Sequence, residues 1–172
     1  MLLDCVKRRD RLRIMTILPI ENVQAYPRPP LLESVPHLLR VVFGGEELAS
    51  TVAAWRVCET HHPPTYYIPI RDIRMDALQP GSRRSWCEWK GQARYFDLDW
   101  QGRKVRQAAW DYPVPSAVFA QLRDHIAFYA SAVDEAWVRD ERVLAQPGDF
   151  YGGWVTSNLT GHIKGAPGTE SW

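Results

Sequence analysis

An excess of charge of either sign is missing from this chain: 21 Lys and Arg stand against 20 Asp and Glu in 172 residues, a formal net charge of +1. That balance leaves no electrostatic footprint for nucleic acid or for an acidic membrane surface, so neither is expected as a partner. Cysteine is scarce as well. Cys5, Cys58 and Cys87 are odd in number, far apart and without a C-x-x-C pair. This argues against a disulfide framework and a zinc ribbon and suits a reducing cytoplasm. Long apolar runs are also lacking. Residues 1–15 contain neither the uninterrupted stretch of a signal peptide nor that of a membrane span, so export is not implied.

What the chain has in quantity is 8 Trp, 7 Tyr and 13 Pro. Proline interrupts helices and aromatics favour half-buried strands, so these numbers point to a β-rich fold. With 45% hydrophobic residues there is enough apolar material for one compact core. Residues 1–14 hold five basic and two acidic side chains and read as a disordered arm or a mis-set start, within an N-terminal extension over 1–21. A single domain is expected over 22–172.

Local signals divide that domain. The Pro-rich stretch 22–36 reads as extended chain. Leu39 to Phe43, Gly44-Gly45 and Glu47 to Val52 form a hairpin pattern, because two glycines supply the positive φ of a tight turn. Strands follow at 55–59, with Trp55, Val57 and Glu59 on one face, and at 65–69. Residues 70–78 suggest one or two helical turns stopped by Pro80-Gly81. The stretch 86–100, broken by Gly91, is the longest β-like run, and Gln101-Gly102 turns it into 104–112. A short helix is expected over 116–125, behind Pro115-Ser116, then strands at 126–129 and 136–143. A faint repeat, Gly45 to Ala54-Trp55 and Gly102 to Ala109-Trp110, suggests two halves facing each other as two sheets.

Several constellations could carry chemistry. In Trp86-Cys-Glu-Trp-Lys90, strand alternation would put Lys90 on the face of Trp86 and Glu88, where an amine among aromatics can act as a base or hold an anion; a surface ion pair is the plain alternative. Glu59, ending an apolar strand before His61-His62, could be a buried base or a ligand acceptor. Cys58, Glu59, His61 and His62 offer metal-ligand atoms, but Cys58 and Glu59 would point to opposite faces, and no metal is assigned. Asp97 and Asp99 share one strand face, the arrangement with which nucleotidyltransferases hold magnesium. No helix follows Gly81-Ser82 to present N–H groups to a phosphate, and Asp99 borders a turn. Cys87 lacks a local nucleophile signature, and the Gly-rich stretches at 152–153 and 165–168 do not follow strand-to-helix transitions.

Tyr26-Pro-Arg-Pro-Pro30, Arg40-Val-Val-Phe-Gly44, Glu59 to Pro69, Trp89-Lys-Gly91 with Ala93 and Tyr95, Ala109-Trp110 with Tyr112, Ala127-Phe-Tyr129 and Tyr151-Gly-Gly-Trp-Val-Thr156 with Lys164-Gly165 occur together in this order. With them the chain resembles, over residues 25–172, the domain-of-unknown-function family numbered 427, which carries a nucleotidyltransferase label. The resemblance implies a β-tent, two antiparallel sheets leaning together, similar to methionine sulfoxide reductase B and the thalidomide-binding domain of cereblon. Zinc, held in such relatives by paired C-x-x-C motifs, is not carried over; an aromatic pocket is. Asp97 and Asp99 depart from the family pattern.

The expectation is therefore a mainly β, β-tent-like domain with one short helix. An inner sheet face would form a pocket for a small planar molecule from Tyr66, Tyr67, Trp89, Lys90, Tyr95, Trp110, Tyr129 and Trp154. Glu59 and Lys90 would orient the ligand or, in an enzyme, act on it as base and electrophilic or proton-donating partner, with Tyr67 as auxiliary donor. No cofactor is assigned. The alternatives are magnesium held by Asp97 and Asp99 for nucleotidyl transfer, and a scaffold binding protein through its Pro-rich leading segment.

Overall fold

The computed structural model describes residues 18–169 and 172; Cys5 and the reading of residues 1–14 lie outside them. In chain order the strands are β1 (Glu21–Asn22), β2 (Leu31–Val35), β3 (Leu39–Phe43), β4 (Glu46–Thr51) and β5 (Ala54–Cys58). Next come β6 (Thr65–Pro69), β7 (Leu78–Cys87), β8 (Gly91–Trp100), β9 (Arg103–Asp111) and β10 (His125–Phe128). The last are β11 (Glu135–Val138), β12 (Glu141–Arg142), β13 (Leu144–Ala145), β14 (Trp154–Val155) and β15 (Leu159–Thr160). Seven of them form one antiparallel sheet in the order β2-β5-β6-β10-β9-β8-β7, and four form a second, β12-β11-β3-β4. The fold is mainly β. No helix among the described residues is long and apolar enough to cross a membrane.

Turn chemistry sets the hairpins. Gly44 and Gly45, at φ 62° and 77°, join β3 to β4, and Gln101 and Gly102, at 53° and 72°, join β8 to β9; two positive φ values in succession match the twist of the flanking strands. The two sheets share one core. Val41 and Phe43 of β3, Leu48 of β4 and Val138 of β11 meet Ile68 of β6, Leu98 of β8, and Ile126 and Phe128 of β10. β6, β8 and β10 alternate, and the opposite face of the seven-stranded sheet carries Val57, Tyr67, Ala93, Tyr95, Trp110 and Ala127 in a second apolar cluster.

Several expectations change. The helix foreseen at 116–125 is a kinked 3-10 segment, Ala117–Leu122; Ser116 does not cap it, because its hydroxyl is donated to Trp89 O at 2.6 Å. Pro80-Gly81 does not stop a helix but lies inside β7, at an irregularity in its pairing with β8. The helical turns before it are two 3-10 turns, Ile70–Asp72 and Met75–Ala77. The suggested halves do not become opposing sheets, since β5 and β9, which carry Trp55 and Trp110, belong to the same sheet. Residues 18–21 make contacts with the rest of the described fold. Glu21 pairs with Leu159 in the parallel β1–β15 contact and holds Arg56 at 2.9 Å, and Asn158 Nδ2 donates to Pro19 O.

Candidate functional site

Period-two alternation sorts the aromatic residues. Tyr67, Tyr95 and Trp110 come from β6, β8 and β9, all from positions facing away from the four-stranded sheet. Over them lies a cavity of about 430 Å³. The pocket is therefore on the outer face of the large sheet, not the inner face expected from the sequence: the inner face is consumed by packing between the sheets. The Trp110 and Tyr129 rings lie with centroids 4.5 Å apart and planes tilted by 45°, and Tyr67 meets Trp110 edge-on at 6.3 Å. Burial raises the Tyr67 hydroxyl well above the ordinary phenol range, so it stays protonated.

Of the residues expected in the pocket, Tyr67, Trp89, Lys90, Tyr95, Trp110 and Tyr129 line this cavity, and Glu59 does too. Tyr66 and Trp154 do not. Tyr66 is one residue out of phase with Tyr67 and faces the core between the sheets, where its ring lies 5.2 Å from that of Trp154. Trp154 is fully buried and donates its indole N–H to Phe128 O at 2.9 Å. Both are core residues.

Lys90 reaches the cavity from a hairpin tip rather than from a strand. β7 ends at Cys87 and β8 begins at Gly91, whose φ of 99° suits glycine alone, so residues 88–90 form the turn. Ser116 clamps it: its N–H donates to Lys90 O at 3.2 Å and its hydroxyl to Trp89 O. The strand-face assignment made for residues 86–90 therefore fails; Trp86 is exposed and Lys90 buried. The Lys90 ammonium lies 5.7 Å from the Tyr112 ring centroid and 5.8 Å from that of Phe119, contacts worth about 1–2 kcal/mol for a desolvated cation. Lys90 makes no ion pair among the described residues.

Arg28, from the extended segment before β2, bridges the rim. Its guanidinium lies 2.8 Å from Glu88 Oε1 and 3.6 Å from Glu59 Oε1. The same segment is tied down by Thr60 Oγ1 donating to Tyr26 O and His61 N–H donating to Val23 O. On the far wall Gln146, buried, accepts from Gly153 N–H through Oε1, and donates through Nε2 to Lys164 O and to His62 Nδ1. Those partners fix the amide orientation. His62 consequently carries its proton on Nε2. Burial, with the Lys164, Lys90 and Arg28 charges nearby, depresses its pKa to about 4.

The other expected constellations are not assembled. Cys58 is buried, with its thiol pushed up to about 12 by burial. His61 sits at φ 67° and turns to His162 O and the Trp172 ring. Among the described residues no group of three His, Cys, Asp or Glu side chains could hold a metal ion. Asp97 Oδ1 accepts from Gln107 N–H at 2.9 Å, and Asp99 faces Lys104 at 3.6 Å; neither lines the cavity.

Arg28, His62, Tyr112, Gln146, Tyr151, Gly152 and Lys164 were not in the expected pocket, yet all line it. All but Gln146 lie in the segments that carry the family resemblance, which is the signal that could have found them. Gln146 had none, because a lone glutamine in irregular chain announces nothing. A family model described as "Domain of unknown function (DUF427)" matches residues 31–139. No curated protein matches the chain.

Proposed function

Because the chain belongs to the DUF427 family, whose description assigns no reaction, we propose from the site alone that it is a small-molecule-binding domain, its ligand a planar compound lodged in the outer-face cavity. The observation that carries this reading is the tilted Trp110–Tyr129 ring pair in the wall of a cavity of about 430 Å³. That volume lies in the range of small-molecule sites, and rigid ring faces recognise flat ligands with little entropic cost. In this reading Lys90 meets the ligand directly and Glu59 orients it through Arg28, whose guanidinium lies 3.6 Å from Glu59 Oε1.

The test is a thermal-shift and tryptophan-fluorescence screen of planar aromatic and amide compounds, with and without nucleotides and magnesium. A metal-independent shift that Trp110→Ala removes and Trp154→Phe retains is the expected result. A magnesium-dependent nucleotide shift lost in Asp97→Asn overturns it.

A catalytic reading draws on the same residues, favoured by the presence of both Glu59 and Lys90 in the lining of the one cavity. There Glu59 is the base, Lys90 the electrophilic or proton-donating partner and Tyr67 an auxiliary donor. Lys90→Met then abolishes turnover while only weakening binding, whereas in a pure binder it lowers affinity alone.

A further inference from the structure

The cavity's polar groups are unevenly satisfied, and the imbalance has a sign. Its two carboxylates, Glu59 and Glu88, are both engaged by Arg28. Its remaining cations are not matched. The Lys90 ammonium lies over the Tyr112 and Phe119 rings, and the Lys164 ammonium lies 5.2 Å from the Tyr151 ring centroid. Neither forms an ion pair among the described residues. The His62 ring lines the same cavity, feels both charges and, with Nδ1 accepting from Gln146, offers Nε2–H as a donor.

Resting on the planar-ligand reading, we infer that the ligand is a planar organic anion, an aromatic or conjugated carboxylate, whose ring lies against Trp110 and Tyr129 and whose charged end is taken by Lys90, Lys164 and His62. An ammonium in an apolar wall gains most from a partner that brings negative charge into the same low-dielectric space. A cationic ligand would meet two unpaired ammonium groups, and the two carboxylates that could receive it are already occupied by Arg28. A neutral amide satisfies donors but not charge. The pairing of Arg28 with Glu59 and Glu88 thus does a second job, removing from the cavity the negative charges that would repel such a ligand.

Isothermal titration of the full chain with matched acid, carboxamide and aminomethyl compounds, each built on benzene, indole and naphthalene, tests this. The acid should bind at least tenfold tighter than the amide on the best scaffold, and the amine should be weakest. Lys90→Met should bring acid and amide level, Lys90→Arg should keep the preference, and Lys164→Met should lower acid affinity at least threefold with the amide unchanged. Trp110→Ala should weaken acid and amide alike. Should Lys90→Met fail to fold, Lys90→Arg and Lys164→Met carry the comparison. An amide or amine that binds as tightly as the acid overturns the inference and leaves the planar-ligand reading standing. Acid preference unchanged in a folded Lys90→Met and in Lys164→Met overturns the residue assignment. No binding on any scaffold overturns both readings.

Discussion

Gln146 Nε2 donates to His62 Nδ1 at 3.0 Å, so a glutamine held in irregular chain decides which nitrogen of a cavity histidine bears the proton. The amide cannot flip without cost, because Gly153 N–H donates to its Oε1 and Lys164 O accepts from its Nε2. A flip would set donor against donor and acceptor against acceptor.

His62 makes stability depend on pH in a defined window. Its pKa is about 4 in the fold against about 6.5 in the unfolded chain. The unfolded state therefore binds more protons between those values, and the contribution is complete above about pH 6.5 and is lost as pH falls toward 4. The difference amounts to about 3 kcal/mol at most. Urea titrations at pH 7 and pH 4.5 should show a larger loss for the wild type than for His62→Gln. Equal losses would contradict the assignment.

Gly152 lies flat against the pocket tryptophan. A Cβ there would sit 2.2 Å from Trp110 Cη2, and Trp110 cannot retreat because Tyr129 and Tyr67 pack against it. Gly152→Ala should cost about 1–3 kcal/mol and perturb Trp110 fluorescence. A wild-type melting temperature with unaltered fluorescence would refute the contact.

Trp154 separates core from pocket. Trp154→Phe removes part of a fully buried ring and the hydrogen bond to Phe128 O, a loss of about 2–3 kcal/mol. Ligand affinity at a temperature where the variant is folded should match the wild type. A selective loss of affinity would move Trp154 into the site.

Asp97 serves a strand irregularity. Gln107 adopts φ 54°, and Asp97 Oδ1 takes its N–H at 2.9 Å. Asp97→Asn keeps an acceptor oxygen and should be close to neutral, while Asp97→Ala should cost about 1 kcal/mol. Calorimetric melting of both variants distinguishes this from a metal role, for which asparagine and alanine would be alike harmless to the apoprotein.

Much of the fold was legible locally. The 39–51 hairpin could be read because Gly44-Gly45 admits one kind of turn between two alternating runs. The 65–69 strand followed from aromatic and β-branched residues, and the face of Val57 and Glu59 followed from period two. Residues 86–90 were misread because alternation assumes an unbroken strand. The turn before Gly91 was set by a long-range clamp from Ser116.

By itself the sequence determined a mainly β chain, its turns and which residues alternate along each strand, since these depend on backbone sterics and neighbours close in the chain. It also pointed to Tyr67, Trp89, Lys90, Tyr95, Trp110, Tyr129 and Glu59, which the structure places in the lining of the cavity. Only the tertiary structure decided which sheet face is the core and which the cavity, because alternation names two faces and only a second sheet packed on one of them breaks the tie. The same packing withdrew Tyr66 and Trp154 into the interior. It also brought Arg28, His62, Gln146 and Lys164 around Lys90 from segments more than a hundred residues apart, a juxtaposition that no local pattern encodes.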